Sequence, residues 1–351
     1  YSRDQLPRRT SVRVKEIKND NISMIKALSR SYRFCLEEKD AIFIGEDIAD
    51  PYGGAFKVTK GFQDSHPNNV YSTSISEAGL VGIAIGMNLD GHKTFAEIMF
   101  GDFIMNCMDQ IVNNASKFHH MYGKQIFSDI VIRTPMGGRR GYGPTHSQSL
   151  EKFLLGIDNT MVAAVSSLNN PLELIKELDN INCPKIVIEN KTDYSNFLYN
   201  PVKDLSLENI GGALGTVRLT PIGGKSTLLI IAYGYVARLI ADNYVKIFKE
   251  ADCVFTLMCP QLLHPIPINQ FERDAKKNKH ILLVEESTAG FGWADGVASS
   301  FLELDKQFKI FKLSSDPVPI PSNRDLEALN LVSLEKIIDK ICLIKENYDR
   351  P

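Results

Sequence analysis

The sequence is short of the features that would send a chain into or through a membrane. No apolar run in its 351 residues approaches the roughly 20 that a spanning helix needs. The longest candidate, residues 227–241, is interrupted by Gly234 and Arg238. No succession of basic, apolar and small residues opens the chain, so cytoplasm is expected. The first residue is Tyr1, not a methionine, which leaves a preceding segment and an organelle matrix open. Charge of one sign is also missing. The net charge is −2 with acids and bases interspersed, which excludes a nucleic-acid surface or a polybasic membrane patch. The six cysteines (35, 107, 183, 253, 259 and 342) form no CxxC pair, and in so long a chain they are read as buried thiols of a reducing compartment.

Several chemical motifs are absent as well. There is no HExxH and no Cys/His cluster, and the adjacent His119 and His120 would point in different directions from a helix, as a solvated pair does. No metal held by this chain's own side chains is expected. No GxGxxG follows a first strand. Gly224-Lys225-Ser226 resembles the end of a phosphate-binding loop, but the required first glycine is replaced by Leu219 and a strand follows where a helix should.

What is present is an alternation of short apolar runs with helical spacing. Residues 24–38 have helical period, and 41–45 form a buried-strand run ending at a turn. Strands are predicted over 70–75, 94–99, 130–132, 161–165 and 186–188, and helices over 78–89, 102–122 and 172–178. Residues 191–224 lose the period and are rich in Tyr, Asn, Pro, Asp and Gly. The alternation then resumes to the end. This pattern predicts α/β architecture, two doubly wound domains with mostly parallel sheets covered on both faces. The expected division is an extension over 1–13, a first domain over 14–200, a linker over 201–224 and a second domain over 225–351.

Candidate chemistry concentrates between Gly45 and Glu151. Glu77 stands at a strand-to-helix switch, and ligands of open parallel sheets bind beyond the strands' carboxyl ends. Alone, one glutamate reads as a solvated surface acid. The helix after it carries Gly79, Gly82 and Gly86 on nearly one face, although each glycine costs a helix about 1 kcal/mol relative to alanine. That suggests a second backbone packed very close. Met99 and Phe103 follow the next strand and should reach the same sheet edge. A glycine-rich stretch, Gly137-Gly138-Arg139-Arg140-Gly141-Tyr142-Gly143, then delivers His146 after a further strand.

These motifs, in order, resemble the β subunit of the decarboxylating component of thiamine-diphosphate-dependent 2-oxo acid dehydrogenases, of pyruvate or branched-chain type, within the transketolase-like superfamily. The resemblance rests on Gly45-Glu46-Asp47, Gly53-Gly54-Ala55-Phe56-Lys57-Val58-Thr59, Ile75-Ser76-Glu77-Ala78-Gly79, Ala96-Glu97-Ile98-Met99-Phe100, Asp109-Gln110-Ile111-Val112-Asn113 and His146-Ser147-Gln148-Ser149. It extends over about residues 14 to 345. It implies a pyrimidine-binding domain followed by a transketolase C-terminal-type domain. Glu77 matches the family glutamate that hydrogen-bonds the aminopyrimidine, expected to be buried against Ile75, Met99 and Phe103. Phe103 matches the aromatic stacked on that ring, and Met99 and Ile75 line the cofactor. His146 matches a histidine near the thiazolium and the incoming lipoyl group.

Two departures accompany the resemblance. Arg139 and Arg140 fall where the relatives carry small or uncharged residues, either as a solvated turn or as a grip on a substrate carboxylate or phosphate. The family's potassium loop is poorly matched around 179–184. The Gly-Asp-Gly motif that binds magnesium and diphosphate is missing too, the nearest match being Ala294-Asp295-Gly296. The resemblance therefore implies that an α subunit supplies the magnesium ligands and the diphosphate site, in an α2β2 assembly that serves a lipoyl acyltransferase component. A split transketolase-like carbon–carbon ligase and a non-catalytic scaffold subunit share the same motifs.

Overall fold

Hydrophobic strands that are buried on both faces must pair with like strands, and here they build two seven-stranded sheets. The computed structural model describes residues 14–346; the extension expected over 1–13 lies outside them. The first half of the chain carries β1 (Val14–Glu16), β2 (Ile42–Glu46), β3 (Val70–Thr73), β4 (Thr94–Glu97), β5 (Val131–Met136), β6 (Met161–Ala164) and β7 (Lys185–Asn190). The second carries β8 (Leu205–Ile210), β9 (Thr216–Pro221), β10 (Leu228–Ala232), β11 (Phe255–Pro260), β12 (Leu262–His264), β13 (His280–Thr288) and β14 (Lys309–Ser315). The first sheet runs β12-β6-β7-β5-β4-β2-β3 and the second β1-β8-β9-β11-β10-β13-β14. This is the α/β architecture that the alternation predicts.

In the first sheet β2 pairs in parallel with both β3 and β4, and β4 with β5. The chain leaves β2 for a neighbour on one side and then crosses to the other. The carboxyl ends of β3, β2, β4 and β5 consequently share one edge, with the reversal of direction at β2. The largest apolar cluster joins Ile44, Leu80 and Ile132 of the first sheet and its helices to Ile231, Leu283 and Trp293 of the second, so the two sheets share one interior.

Three features differ from the sequence-based expectation. The stretch 201–224, expected as a linker, holds β8 and β9, which pair antiparallel within the second sheet. Their buried residues (Leu205, Leu207, Ile210, Thr216, Val217 and Leu219) are few and lie between turn-forming residues, which hides the period. The sheets also exchange edges: β1 pairs with β8, and β12 with β6. Finally, the helix expected over 102–122 divides into a 3-10 turn (Gly101–Cys107), a π-helical turn (Gln110–Ala115) and a short α-helix (Phe118–Met121). Within the π turn the Ser116 N–H reaches the Ile111 carbonyl, five residues back. Such wide turns are frequent at functional sites.

At the centre of the first sheet lies a buried ionic cluster. Arg133 of β5, 1% exposed, donates to Glu189 of β7 through Nε at 2.8 Å and Nη2 at 2.5 Å. Its Nη1 donates to Glu97 of β4. Tyr32 and Tyr194 donate to the two Glu189 oxygens at 2.7 and 2.6 Å. Burial alone would lower the guanidinium's pKa, but Glu189 and Glu97 outweigh it and raise it well above its ordinary value. Arg133→Met would strand two buried carboxylates, and removing one partner of such a set typically destabilises by about 3–5 kcal/mol. Urea denaturation of the variant should show a loss of that order. A loss within the range of an exposed pair, under about 1 kcal/mol, would contradict a tightly paired cluster.

Candidate active site

Glu77 is the first residue of the helix Glu77–Leu89, just beyond β3, and is 7% exposed. Ser76 caps that helix, its Oγ accepting from the Gly79 N–H at 3.2 Å. The Ser76 N–H in turn donates to Glu46 Oε1, at the end of β2, at 2.9 Å. Burial, with Glu77 and Asp47 nearby, raises the Glu46 carboxyl above its ordinary value despite that hydrogen bond. Asn106 Nδ2 donates to Glu77 Oε2 at 3.2 Å, and Oε1 receives no hydrogen bond from the described residues.

The 3-10 turn Gly101–Cys107 explains how Asn106 arrives there. In a 3-10 helix residues three apart eclipse, so Phe103 and Asn106 lie on one line of the turn, and Asn106 reaches Glu77. Phe103 meets the His146 ring edge-on at 5.1 Å, and Phe100 meets both rings, at 5.7 Å and 4.8 Å. Phe103 and His146 thus meet at the shared edge, and Glu77 is tied to the same 3-10 turn through Asn106, with partly buried Met99 just after β4. Ile75 does not join the wall expected around Glu77. It is 83% exposed, because β3 ends at Thr73 and the following turn directs it outward.

The small-residue face of the helix Glu77–Leu89 also differs from expectation, since among the described residues no backbone from another element packs on it. A Cβ added at Gly86 would meet nothing within 4 Å, and one at Gly82 would meet the Gln110 side chain at 3.6 Å. Exposed Ile83 lies on the same helix, and exposed Met105 on the turn that packs against it.

His146 is held by groups that motif matching does not reveal. Its Nδ1 lies 3.0 Å from Thr145 Oγ1, and its carbonyl accepts from the Lys191 ammonium. Lys191, fully buried just after β7, also sits 5.2 Å from the Phe100 ring centroid. On the far side of the histidine, Gln148 donates through its N–H and Nε2 to Asp102 Oδ1, at 3.2 and 2.8 Å. The loop is therefore fastened both to β7 and to the 3-10 turn that carries Phe103. A buried lysine in a run of polar residues gives no local signal; its role follows from the strand beneath it.

Arg139 and Arg140 diverge. Arg139, in left-handed backbone at φ 73°, donates to the Val332 carbonyl at 2.7 Å and pairs with Glu286 at 3.2 Å. It fastens the loop to the second sheet's half of the molecule. Arg140 donates to the Lys191 carbonyl and lies 5.8 Å from the Phe56 ring.

Comparison with known proteins gives the family context. The model of the transketolase pyrimidine-binding domain matches residues 20–196. The chain is 30% identical over 315 residues to the pyruvate dehydrogenase E1 component subunit beta of Porphyra purpurea, covering 87% of this chain and 91% of that protein. It is 26% identical over 335 residues to the beta subunit of acetoin:2,6-dichlorophenolindophenol oxidoreductase of Bacillus subtilis, covering 90% and 95%. A solved split-gene transketolase, an inactive beta4 tetramer, shares the fold with a TM-score of 0.66 at 15% identity, over 93% of this chain and 98% of that one.

Burial pushes the Lys191 ammonium down to about 8, although Asp102, Glu286 and Glu327 pull it up, while Arg140 pushes it further down. Between that value and the ordinary 10.5, the unfolded chain keeps a proton that the folded chain has released. Stability contributed at this site therefore rises with pH across the window. Wild type should gain stability relative to Lys191→Met as the pH is raised from about 8 to about 10.5 in paired urea titrations. A difference that stays constant with pH would show that the ammonium is not desolvated.

Proposed function

The chain belongs to the transketolase pyrimidine-binding domain family, and on that premise we propose that it is the β subunit of a thiamine-diphosphate-dependent 2-oxo acid dehydrogenase. The observation that carries the proposal is a buried glutamate with one oxygen unengaged, Glu77 Oε1, at the sheet edge where Phe103 and His146 also meet. These residues fit the pyrimidine half of the cofactor. Oε1 is available to share a proton with a ring nitrogen, while Asn106 fixes the other oxygen and so the carboxyl's orientation. Phe103 offers a ring face for stacking, Met99 an apolar wall, and exposed Ile75 a rim for the cofactor or a partner to cover. When bound, thiamine diphosphate supplies a carbon nucleophile that attacks the 2-oxo group.

The diphosphate half is assigned to another chain, because the sequence has no Gly-Asp-Gly motif. The partner is an α subunit carrying the magnesium ligands, in an α2β2 assembly. The uncovered glycine face of the helix Glu77–Leu89 is a candidate contact for it, since small residues let a second backbone approach closely. The acyl acceptor is a lipoyl group of an acyltransferase component. As the lipoyl S–S bond opens, one sulfur takes the acyl carbon, and His146, oriented by its aromatic neighbours and by Lys191, serves as the acid that protonates the other sulfur as it leaves. The names of the relatives span pyruvate and acetoin, so the substrate has to be read from this chain's own residues.

With the α partner present, His146→Ala should slow acyl transfer to a lipoyl domain far more than decarboxylation followed with an artificial electron acceptor. General acid catalysis contributes typically about 100- to 10,000-fold, and the gap between the two assays should fall in that range. Equal losses in both would move His146 to substrate binding. Transfer to an aldehyde but not to a lipoyl group would make the chain a split carbon–carbon ligase.

A further inference from the structure

The arginines beside the His146 loop have more positive charge than their neighbours use. We infer that the cleft between this loop and Arg324 is an anion subsite, which takes a carboxylate or phosphate carried by the substrate at the end remote from its 2-oxo group. The cleft has a volume of about 260 Å³ and is lined by Arg139, Arg140, Tyr142, Thr192, Ser195 and Arg324. No carboxylate is among these residues, and every one of them carries a hydrogen-bond donor.

The charges divide as follows. Arg139 is committed to Glu286 and the Val332 carbonyl. Glu327 is fully buried behind the loop, where its Oε2 accepts from the Gly141 N–H at 2.8 Å. Arg140 directs one N–H to the Lys191 carbonyl and keeps the others. The Arg324 side chain makes no hydrogen bond or ion pair with any described residue. Two guanidinium groups facing one cleft repel unless an anion lies between them, and a planar guanidinium matches a carboxylate or phosphate through paired N–H donors.

The backbone is shaped to bring them together. Gly141, at φ 70°, passes so close to Arg324 that a Cβ there would lie 3.0 Å from its Cγ. Arg140 belongs to the first sheet's half and Arg324 to the second's, so the cleft exists only when the halves are docked. Its wall adjoins the candidate active site: the Tyr142 ring is 6.1 Å from Phe100, which touches His146 at 4.8 Å. A substrate with its reacting end near His146 could place a second anionic group in the cleft. The inference rests on the proposed function only in taking that anion to be part of a 2-oxo acid.

The test begins with the full chain and two probes, glutarate and inorganic phosphate, in titration calorimetry at low ionic strength. Saturable binding of at least one is expected, and the stronger probe tells which group the cleft suits. Arg324→Ala should weaken it by about tenfold to a hundredfold, the effect of losing one charge-assisted contact. Thermal unfolding of the same sample confirms that the variant is folded. Absence of saturable binding overturns the inference, even if an acidic lipoyl domain binds this face. So does binding that Arg324→Ala leaves unchanged. The second arm uses the complex with its α partner and compares 2-oxo acids that bear a terminal anion with neutral ones of equal length. Arg324→Ala should reduce the preference for the anionic acids by a similar factor. If the complex decarboxylates none of them while Arg324→Ala still weakens probe binding by that factor, the subsite stands and the dehydrogenase assignment falls. If decarboxylation proceeds with the substrate ranking unaltered by Arg324→Ala, the assignment stands and the subsite falls.

Discussion

Arg133 is buried away from solvent, and the geometry of the candidate site depends on how it is paired. Its guanidinium joins Glu97 on β4 and Glu189 on β7 across its own strand, β5. Each of these strands continues directly into part of the site. β4 leads to Met99, Phe100 and Phe103, β5 to the loop that carries His146, and β7 to Lys191 two residues beyond Glu189. A slip in register between any two would separate a guanidinium from a carboxylate in a dry interior, at a cost of several kcal/mol. The ionic cluster thus sets the relative height of the three strand ends, and through them the distances among the aromatic rings.

A site at the edge of a parallel sheet is open by construction. Here the second half of the molecule closes one side, through Glu286, Val332 and Glu327 against the glycine-rich loop. The other side carries Ile75, Ile83 and the glycine face of the helix, which none of the described residues covers. Exposed apolar residues around a buried, half-satisfied carboxyl are the signature of a surface completed by another molecule. Under the proposed function the labour would divide accordingly, with a proton-sharing carboxyl, an aromatic wall and a fastened histidine from this chain and the groups for phosphate and metal from a partner.

The sequence carried the strands and the candidate-site motifs openly, because both are local. Buried parallel strands are short apolar runs, and Glu77, Phe103 and His146 stand in compact motifs at strand ends. Long-range effects were hidden. The edge exchange of β1 and β12 depends on pairing partners more than 90 residues away, which no local period encodes. The division of residues 101–121 into 3-10, π and α turns is a tertiary outcome, for their apolar residues suit an ordinary helix equally well. The wall expected at Ile75 failed because β3 ends two residues early. Lys191 and Arg324 lie in unremarkable polar stretches, and the neighbours that give them a role come from distant segments.

The half-site is the central claim, and binding of the cofactor measures it most directly. Thiamine diphosphate with magnesium should be titrated into the full chain alone, and then into the chain mixed with an α subunit carrying the Gly-Asp-Gly motif. Weak binding indifferent to magnesium is predicted for the chain alone, and tight magnesium-dependent binding for the mixture. Tight magnesium-dependent binding by the isolated chain would contradict a divided site.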